Sequence, residues 1–109
     1  MKYLITESQF DKVVFKYLDN QDFIKIKKRD KIYFVNSEGD GYAQIRFDKD
    51  DGWYFIKSDL INEISTFFSM QEFDSKQVIV RWVENTLQMK VTNTTRAFSA
   101  RMSQLRIPN

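Results

Sequence analysis

Oxygen-bearing side chains at alternate positions are the first residues of this chain that could bind a metal ion. The stretch 36–41 reads Asn-x-Glu-x-Asp-Gly, the spacing of the first half of a calcium loop. Phe47 then stands at the twelfth position, where such a loop needs a bidentate Glu. A turn rich in Asn, Asp and Gly accounts for the same residues. We therefore interpret the stretch as a turn and predict no metal there.

A second acidic group lies just before Gly52. Asp48, Asp50 and Asp51 offer the carboxylates that Mg²⁺ prefers. The neighbouring glycine and the alternating segments on either side are typical of a solvated hairpin turn. We prefer the turn, and we predict neither a metal nor another cofactor for the chain.

The chain has no His and no Cys. Their absence excludes disulfides, zinc sites built from these ligands, Cys nucleophiles and His-based triads. It also removes the commonest general base near neutral pH. The sequence shows no phosphate-binding glycine loop and no nucleophile elbow. These observations predict a protein that is not an enzyme.

Basic and aromatic side chains alternate with apolar ones along the segments that we expect to be strands. If Ile24, Ile26, Ile45 and Phe47 face a layer of helices, the opposite face carries Lys25, Lys27, Tyr33, Tyr42, Gln44 and Arg46. Cations bind phosphates and rings stack on bases, so this face could hold single-stranded nucleic acid. A merely solvated face, or a protein contact, is the alternative interpretation.

The charge is unevenly distributed along the chain. The net charge is +2, yet no acidic residue follows Glu84. The basic residues after that point are Lys90, Arg96, Arg101 and Arg106. The three arginines are five positions apart, so on a helix they would spread around the axis instead of lining one face.

Apolar residues within this basic stretch have a more regular spacing. Phe98, Met102 and Leu105 recur at helical intervals and predict a short amphipathic docking helix. It would pack on its own domain or on a neighbouring molecule, and a disordered tail is the third alternative. In the second case Phe98, Met102 and Leu105, with Arg101 beside them, would form the partner-binding site.

Hydrophobic periodicity predicts the elements that must position these residues. We expect a helix over 7–19, strands over 23–28, 31–35, 42–47 and 53–57, a helix from Ser58 or Asp59 to about residue 68, a helix capped by Asp74 and ending near Leu87, and a short strand over 89–92. This order predicts an α+β fold: a four-stranded antiparallel meander with helices on one face and a short fifth edge strand.

Length and composition predict one domain. The chain has 109 residues, of which 42% are hydrophobic, enough for a single core. We predict a domain over residues 1–92 and a basic C-terminal tail over 93–109. No apolar run is long enough for a membrane span, and no signal-peptide stretch follows Met1. These features predict a cytoplasmic protein without a membrane partner.

Two stretches resemble known sequences. The opening Met-Lys-Tyr-Leu-Ile-Thr-Glu-Ser-Gln, and Ile79-x-x-Trp82-Val-Glu84 with the Val-containing segment after it, resemble uncharacterised short proteins of marine tailed phages and ocean metagenomes. The similarity covers about the first 20 residues and the range 75–92. It implies a phage or marine microbial origin, with the host cytoplasm as the location, and carries over no activity and no site residue.

The missing catalytic repertoire and the amphipathic tail together favour a small non-enzymatic protein that works by contact. Our leading expectation is a protein partner, either another protein or a second copy of this chain. Single-stranded nucleic acid bound by the open sheet face is the alternative. An enzyme that uses carboxylates and a metal is the third possibility.

Overall fold

The computed structural model describes residues 7–36, 41–89 and 96–108, with side chains from residue 11 onward. Its elements are α1 (Glu7–Asp19), β1 (Ile24–Lys28), β2 (Lys31–Val35), β3 (Ile45–Asp48), β4 (Trp53–Lys57), α2 (Ser58–Phe67), α3 (Glu72–Thr86), β5 (Arg96–Ala100) and a 3₁₀ helix (Met102–Leu105). The strands form one sheet in the order β1-β2-β3-β4-β5. The first four are antiparallel, and β5 runs parallel to β4. The α+β class and the meander are confirmed.

All three helices pack on one face of the sheet, as predicted. Their apolar stripes meet the inward side chains of β2, β3 and β4 in a core that includes Val14, Leu18, Phe34, Ile45, Ile56, Ile61, Ile64, Ile79 and Val83. Trp82 joins this core and donates its Nε1–H to Asp19 Oδ1 at 2.9 Å, which ties α3 to α1. We call this side of the sheet the helix side, and the opposite side the second face.

The alternation of β1 is the reverse of the prediction. Ile26 pairs with Tyr33 and Lys25 pairs with Phe34. Phe34 lies in the helix-side core, and paired residues point to the same side of a sheet. Ile26 and Ile24 therefore face away from the helices, and the expectation that they face them was wrong. β1 is an edge strand, where a lysine on the helix side can still reach water.

Two element boundaries also differ from the prediction. β3 begins at Ile45, so Tyr42 and Gln44 precede the strand instead of lying in it. Tyr42 forms an isolated antiparallel bridge with Arg106. α3 begins at Glu72, and Asp74 lies in its first turn instead of capping it. A negative charge at this position stabilises the helix through the helix dipole.

Residues 98–105 do not form the predicted helix. Phe98 lies in β5, and only Met102–Leu105 turns, as a 3₁₀ helix. The outer edge of β4 offers a row of backbone N–H and C=O groups, and pairing with it satisfies more backbone groups than an isolated short helix would. Met89 belongs to no strand, and the rest of the strand predicted over 89–92 lies outside the described residues.

A C-terminal segment, residues 101–108, covers part of the second face. Leu105 is completely buried there in a second core with Tyr33, Val35, Ala43 and Ala100. The backbone N–H of Ala43 donates to the Leu105 carbonyl at 2.8 Å, and that of Ile107 donates to the Gly41 carbonyl at 2.9 Å. The segment thus packs on its own domain, which was one of the three alternatives for the tail.

Candidate functional site

One row of side chains crosses the second face through all five strands. The register aligns, from β1 to β5, Ile26, Tyr33, Arg46, Phe55 and Phe98. The C-terminal segment covers the first part of this row, since Ile26 and Tyr33 pack in the second core. We call this the covered half. The β4–β5 end is the open half.

Three aromatic rings in mutual contact occupy the open half. The ring centroids of Trp53 and Phe98 are 5.5 Å apart, and those of Phe55 and Phe98 are also 5.5 Å apart in a stacked arrangement. Trp53 and Phe55 meet edge to face at 6.2 Å. Trp53 is 36% exposed and Phe98 is 42% exposed. We call these three residues the aromatic patch.

The sequence of β4 explains why large rings stand on this face. Trp53 and Phe55 point to the second face, whereas Tyr54 and Ile56 point into the helix-side core. A strand that has large apolar residues at both its odd and its even positions is apolar on both faces. β5 then adds Phe98 directly opposite Phe55. The rings are therefore held by two paired strands instead of by a loop.

Arg46 marks the boundary between the two halves. Its Nε and Nη2 atoms donate to the two carboxylate oxygens of Asp48, each at 2.8 Å. Its Nη1 donates to the Gln104 carbonyl at 2.8 Å, and its Cζ lies 4.5 Å from the ring centre of Phe55. The hydrogen bond with Asp48 raises the pKa of Arg46. One guanidinium thus joins the C-terminal segment, β3 and the aromatic patch.

The second face is basic. By the register of the strands, its charged residues are Lys28, Lys31, Arg46, Asp48, Lys57 and Arg96. Asp48 is the one acid that the five described strands place there, and it is only 5% exposed because Arg46 covers it. The C-terminal segment adds Arg101 and Arg106.

The helix side has the opposite balance. From residue 11 onward, the three helices carry seven acidic and four basic side chains. One acid, Glu84, is buried and accepts a hydrogen bond from the Tyr54 hydroxyl at 3.4 Å. Burial, and then the charge of Glu84, raise the pKa of Tyr54 well above its ordinary value. The sheet therefore separates an acidic side from a basic, aromatic one.

The structure does not bring the six residues predicted for nucleic acid onto one surface. Lys25 and Lys27 lie on the helix side of β1. Arg46 and Tyr33 are neighbours on the second face, but Tyr33 is only 3% exposed. Tyr42 and Gln44 lie outside the strands, where the Gln44 backbone bonds with Phe34 and Lys57.

The four residues predicted for partner contact are also separated. Phe98 joins the aromatic patch, and Met102 and Arg101 are exposed in the C-terminal segment. Leu105 is completely buried, so in this fold it is a core residue. Sequence reasoning missed Trp53 and Phe55, although their i, i+2 spacing in a correctly predicted strand already places two rings on one face.

The acidic residues do not gather into a metal site. Asp48 is held by Arg46, and Asp50 shares a hydrogen bond with Asp30 that raises the pKa of Asp50. Within the described ranges no three potential ligands come together around a cation-sized space. Glu38 and Asp40, from the calcium-loop pattern, lie outside those ranges.

No protein-family model, no curated protein and no solved structure matches the chain. The helices within the described part of the chain are all too short or too polar to cross a bilayer. Any functional conclusion must therefore rest on the second face itself.

Proposed function

We propose that the protein is a non-enzymatic binding protein that holds single-stranded nucleic acid on the aromatic patch. The observation that carries the proposal is the contact among Trp53, Phe55 and Phe98 on an uncovered sheet face, with two of the rings more than one-third exposed. Unpaired bases stack on rings presented in this way, and the face of a β-sheet is a common platform for them.

The charges around the patch support a polyanionic ligand. Arg96 pairs with Trp53 in the register, and Lys57 lies two residues beyond Phe55 on the same face. Arg46 and Asp48 largely neutralise each other, and Lys57 and Lys31 are partly offset by Asp59 at 3.9 Å and Asp30 at 3.5 Å. The cations left in excess are Lys28, Arg96, Arg101 and Arg106. Phosphates are attracted by this excess, whereas the acidic helices repel them and disfavour binding on the other side.

The direct test is fluorescence anisotropy of labelled single-stranded oligonucleotides over a range of salt concentrations. Binding should be tightest at low salt, because phosphate contacts release counterions. Phe98→Ala should weaken binding by about fivefold or more, since stacking on one ring contributes about 1–3 kcal/mol per base. A duplex of the same sequence should bind less well, because its bases are not available for stacking.

A matched control exists on the other side of the molecule. Phe73 in α3 is 65% exposed, more than Phe98, so Phe73→Ala removes an equally large exposed ring from the acidic side. Its oligonucleotide affinity should equal that of the wild type. Absence of binding at low salt, or equal losses from both substitutions, would contradict the proposal.

Contact with protein is the second candidate, because Met102 is 45% exposed and extends the apolar surface of the C-terminal segment. Its partner could be a second copy of the chain, and analytical ultracentrifugation tests this case. A dimer that dissociates on Met102→Ala, in a protein that does not bind oligonucleotides, would favour protein contact over nucleic acid.

A further inference from the structure

A cavity of about 280 Å³ lies at the turn between β1 and β2. Its lining residues are Lys28, Arg29, Asp30, Lys31, Tyr33 and Pro108. Three of these side chains are cationic and one is acidic. Pro108 belongs to the C-terminal segment, so this segment forms one wall of the cavity. We call it the hairpin cavity.

Arg29 is one of four non-glycine residues with a positive φ in the described ranges, and of these four it alone lines the hairpin cavity. Lys28 pairs with Lys31, which leaves Arg29 and Asp30 as the two turn residues. Arg29 has a φ of 57°, a conformation that favours glycine at the first position of such a turn. Non-glycine residues in strained conformations often occur at functional sites. Here the strained residue contributes a guanidinium to a cationic cavity.

The strand register connects the hairpin cavity with the aromatic patch. A second row across the sheet aligns Lys28, Lys31, Asp48, Trp53 and Arg96. Neighbouring strands are about 4.8 Å apart, so Lys31 and Trp53 are separated by about 10 Å. Both carboxylate oxygens of Asp48, between them, accept hydrogen bonds from Arg46. A polyanion that crosses there meets a neutralised acid.

We infer that the hairpin cavity binds a backbone phosphate of the same single strand whose bases stack on the aromatic patch. The bound nucleic acid then crosses the sheet from β5 towards β1, roughly perpendicular to the β-strands. This inference rests on the function proposed above and adds a phosphate subsite to it. Asp30 limits the subsite, because its Oδ1 lies 3.5 Å from Lys31 Nζ and offsets part of that charge.

The geometry sets a minimum ligand length. At roughly 3.4 Å per stacked nucleotide, about three nucleotides span the distance of about 10 Å between Trp53 and Lys31. A dinucleotide can therefore occupy the patch without reaching the cavity, whereas a decanucleotide reaches both. Comparing the dinucleotide with the decanucleotide therefore distinguishes binding at the patch from binding at the cavity.

Arg29→Gly is the decisive variant. Glycine fits the turn, so the variant should melt at or above the wild-type temperature, and lost binding cannot be ascribed to unfolding. The slope of log K against log salt concentration for the decanucleotide should decrease by about 0.7, as expected for one lost phosphate contact. The dinucleotide should bind the variant and the wild type equally well.

Asp30→Asn gives a change of the opposite sign. It removes the acid that partly neutralises Lys31, so decanucleotide binding should tighten. An unchanged salt slope in Arg29→Gly, together with unchanged affinity in Asp30→Asn, would overturn the phosphate subsite while leaving the aromatic patch intact as a binding site. Failure of the wild type to bind the decanucleotide at low salt would instead overturn the proposed function, and the subsite with it.

Inorganic phosphate distinguishes a backbone phosphate from a free anion. Amide resonances of Arg29 and Lys31 should shift only weakly with inorganic phosphate and strongly with the decanucleotide. Strong shifts with inorganic phosphate alone, and a decanucleotide affinity that does not depend on Arg29, would identify a free-anion site and overturn the inference.

Discussion

The covered and open halves of the second face consist of similar side chains but differ in what lies above them. Tyr33 and Phe98 belong to the same row, yet Tyr33 is 3% exposed and Phe98 is 42% exposed. Residues 101–108 cover the first and leave the second uncovered. The comparison teaches that a strand's own sequence makes a face apolar, whereas a distant segment decides whether that face becomes core or contact surface.

The largest expected effect is on the covered half. Leu105→Ala removes a completely buried side chain from the second core. The free energy of unfolding should decrease by about 2–5 kcal/mol, the usual range for such truncations in a packed core. Urea denaturation followed by circular dichroism measures it.

Met102→Ala is the matched control for this substitution. Met102 lies in the same 3₁₀ helix and is 45% exposed. Its truncation should change the free energy of unfolding by about 0.5 kcal/mol or less. Equal losses in the two variants would show that the C-terminal segment does not form a core on the second face.

A somewhat smaller effect is expected at the boundary. Arg46→Met removes the donors to Asp48 and to the Gln104 carbonyl, and leaves the Asp48 carboxylate buried. Losing hydrogen bonds to a charged group should cost about 1.5–3 kcal/mol of unfolding free energy. Adding Asp48→Asn should recover part of this loss, because the buried charge is then removed. A double variant less stable than Arg46→Met would contradict this account.

Alkaline pH tests the helix-side core that lies beneath the open half. The pKa of Tyr54, beneath the patch, is raised in the folded state by burial and by Glu84. The contribution of the Tyr54 hydroxyl to the free energy of unfolding is therefore complete below about pH 10. It is lost above that pH, because the hydroxyl then ionises in the unfolded chain but not in the folded one. At about pH 11 the loss should be about 1.4 kcal/mol.

The measurement is urea denaturation at both pH values, followed by tryptophan fluorescence and by circular dichroism. Tyr54→Phe should lose less stability than the wild type over the same pH interval, because it lacks the titrating hydroxyl. Equal losses in Tyr54→Phe and the wild type would contradict the role of this hydroxyl in the pH dependence.

The smallest effect on stability is expected in the open half. Phe98→Ala removes a ring that already contacts water, so the free energy of unfolding should decrease by about 1 kcal/mol or less. The same substitution should have the large effect on oligonucleotide affinity described above. Thermal unfolding and anisotropy of one preparation measure both. A loss near that of Leu105→Ala would make Phe98 a core residue and remove the contrast between the halves.

Local sequence patterns predicted those elements whose bounds depend only on residues close in the chain. The bounds of α1, β2 and β4 agree with the prediction, because a 3.6-residue or two-residue period and short turns define them. The placement of the helices on one face was also predictable, since their apolar stripes need a common sheet to cover.

The second face was less predictable, because two distant segments determine it. The alternating pattern of β1 does not show which side of the sheet its isoleucines face. The C-terminal segment on whose side Ile26 packs lies about 75–80 positions further along the chain. The spacing of Phe98, Met102 and Leu105 suits a helix, but the free edge of β4 selects a strand. The aromatic patch was missed because it needs that pairing to bring Phe98 beside Trp53.

The bond from Arg46 to the Gln104 carbonyl spans 58 positions of the chain. During synthesis the β-meander is therefore complete long before its second face can be covered. Even after α2 and α3 have covered the helix side, Tyr33 and Ile26 remain in contact with water until Leu105 has emerged. Such long-range closure slows folding and gives chaperones or proteases a period in which to act on the unfinished chain.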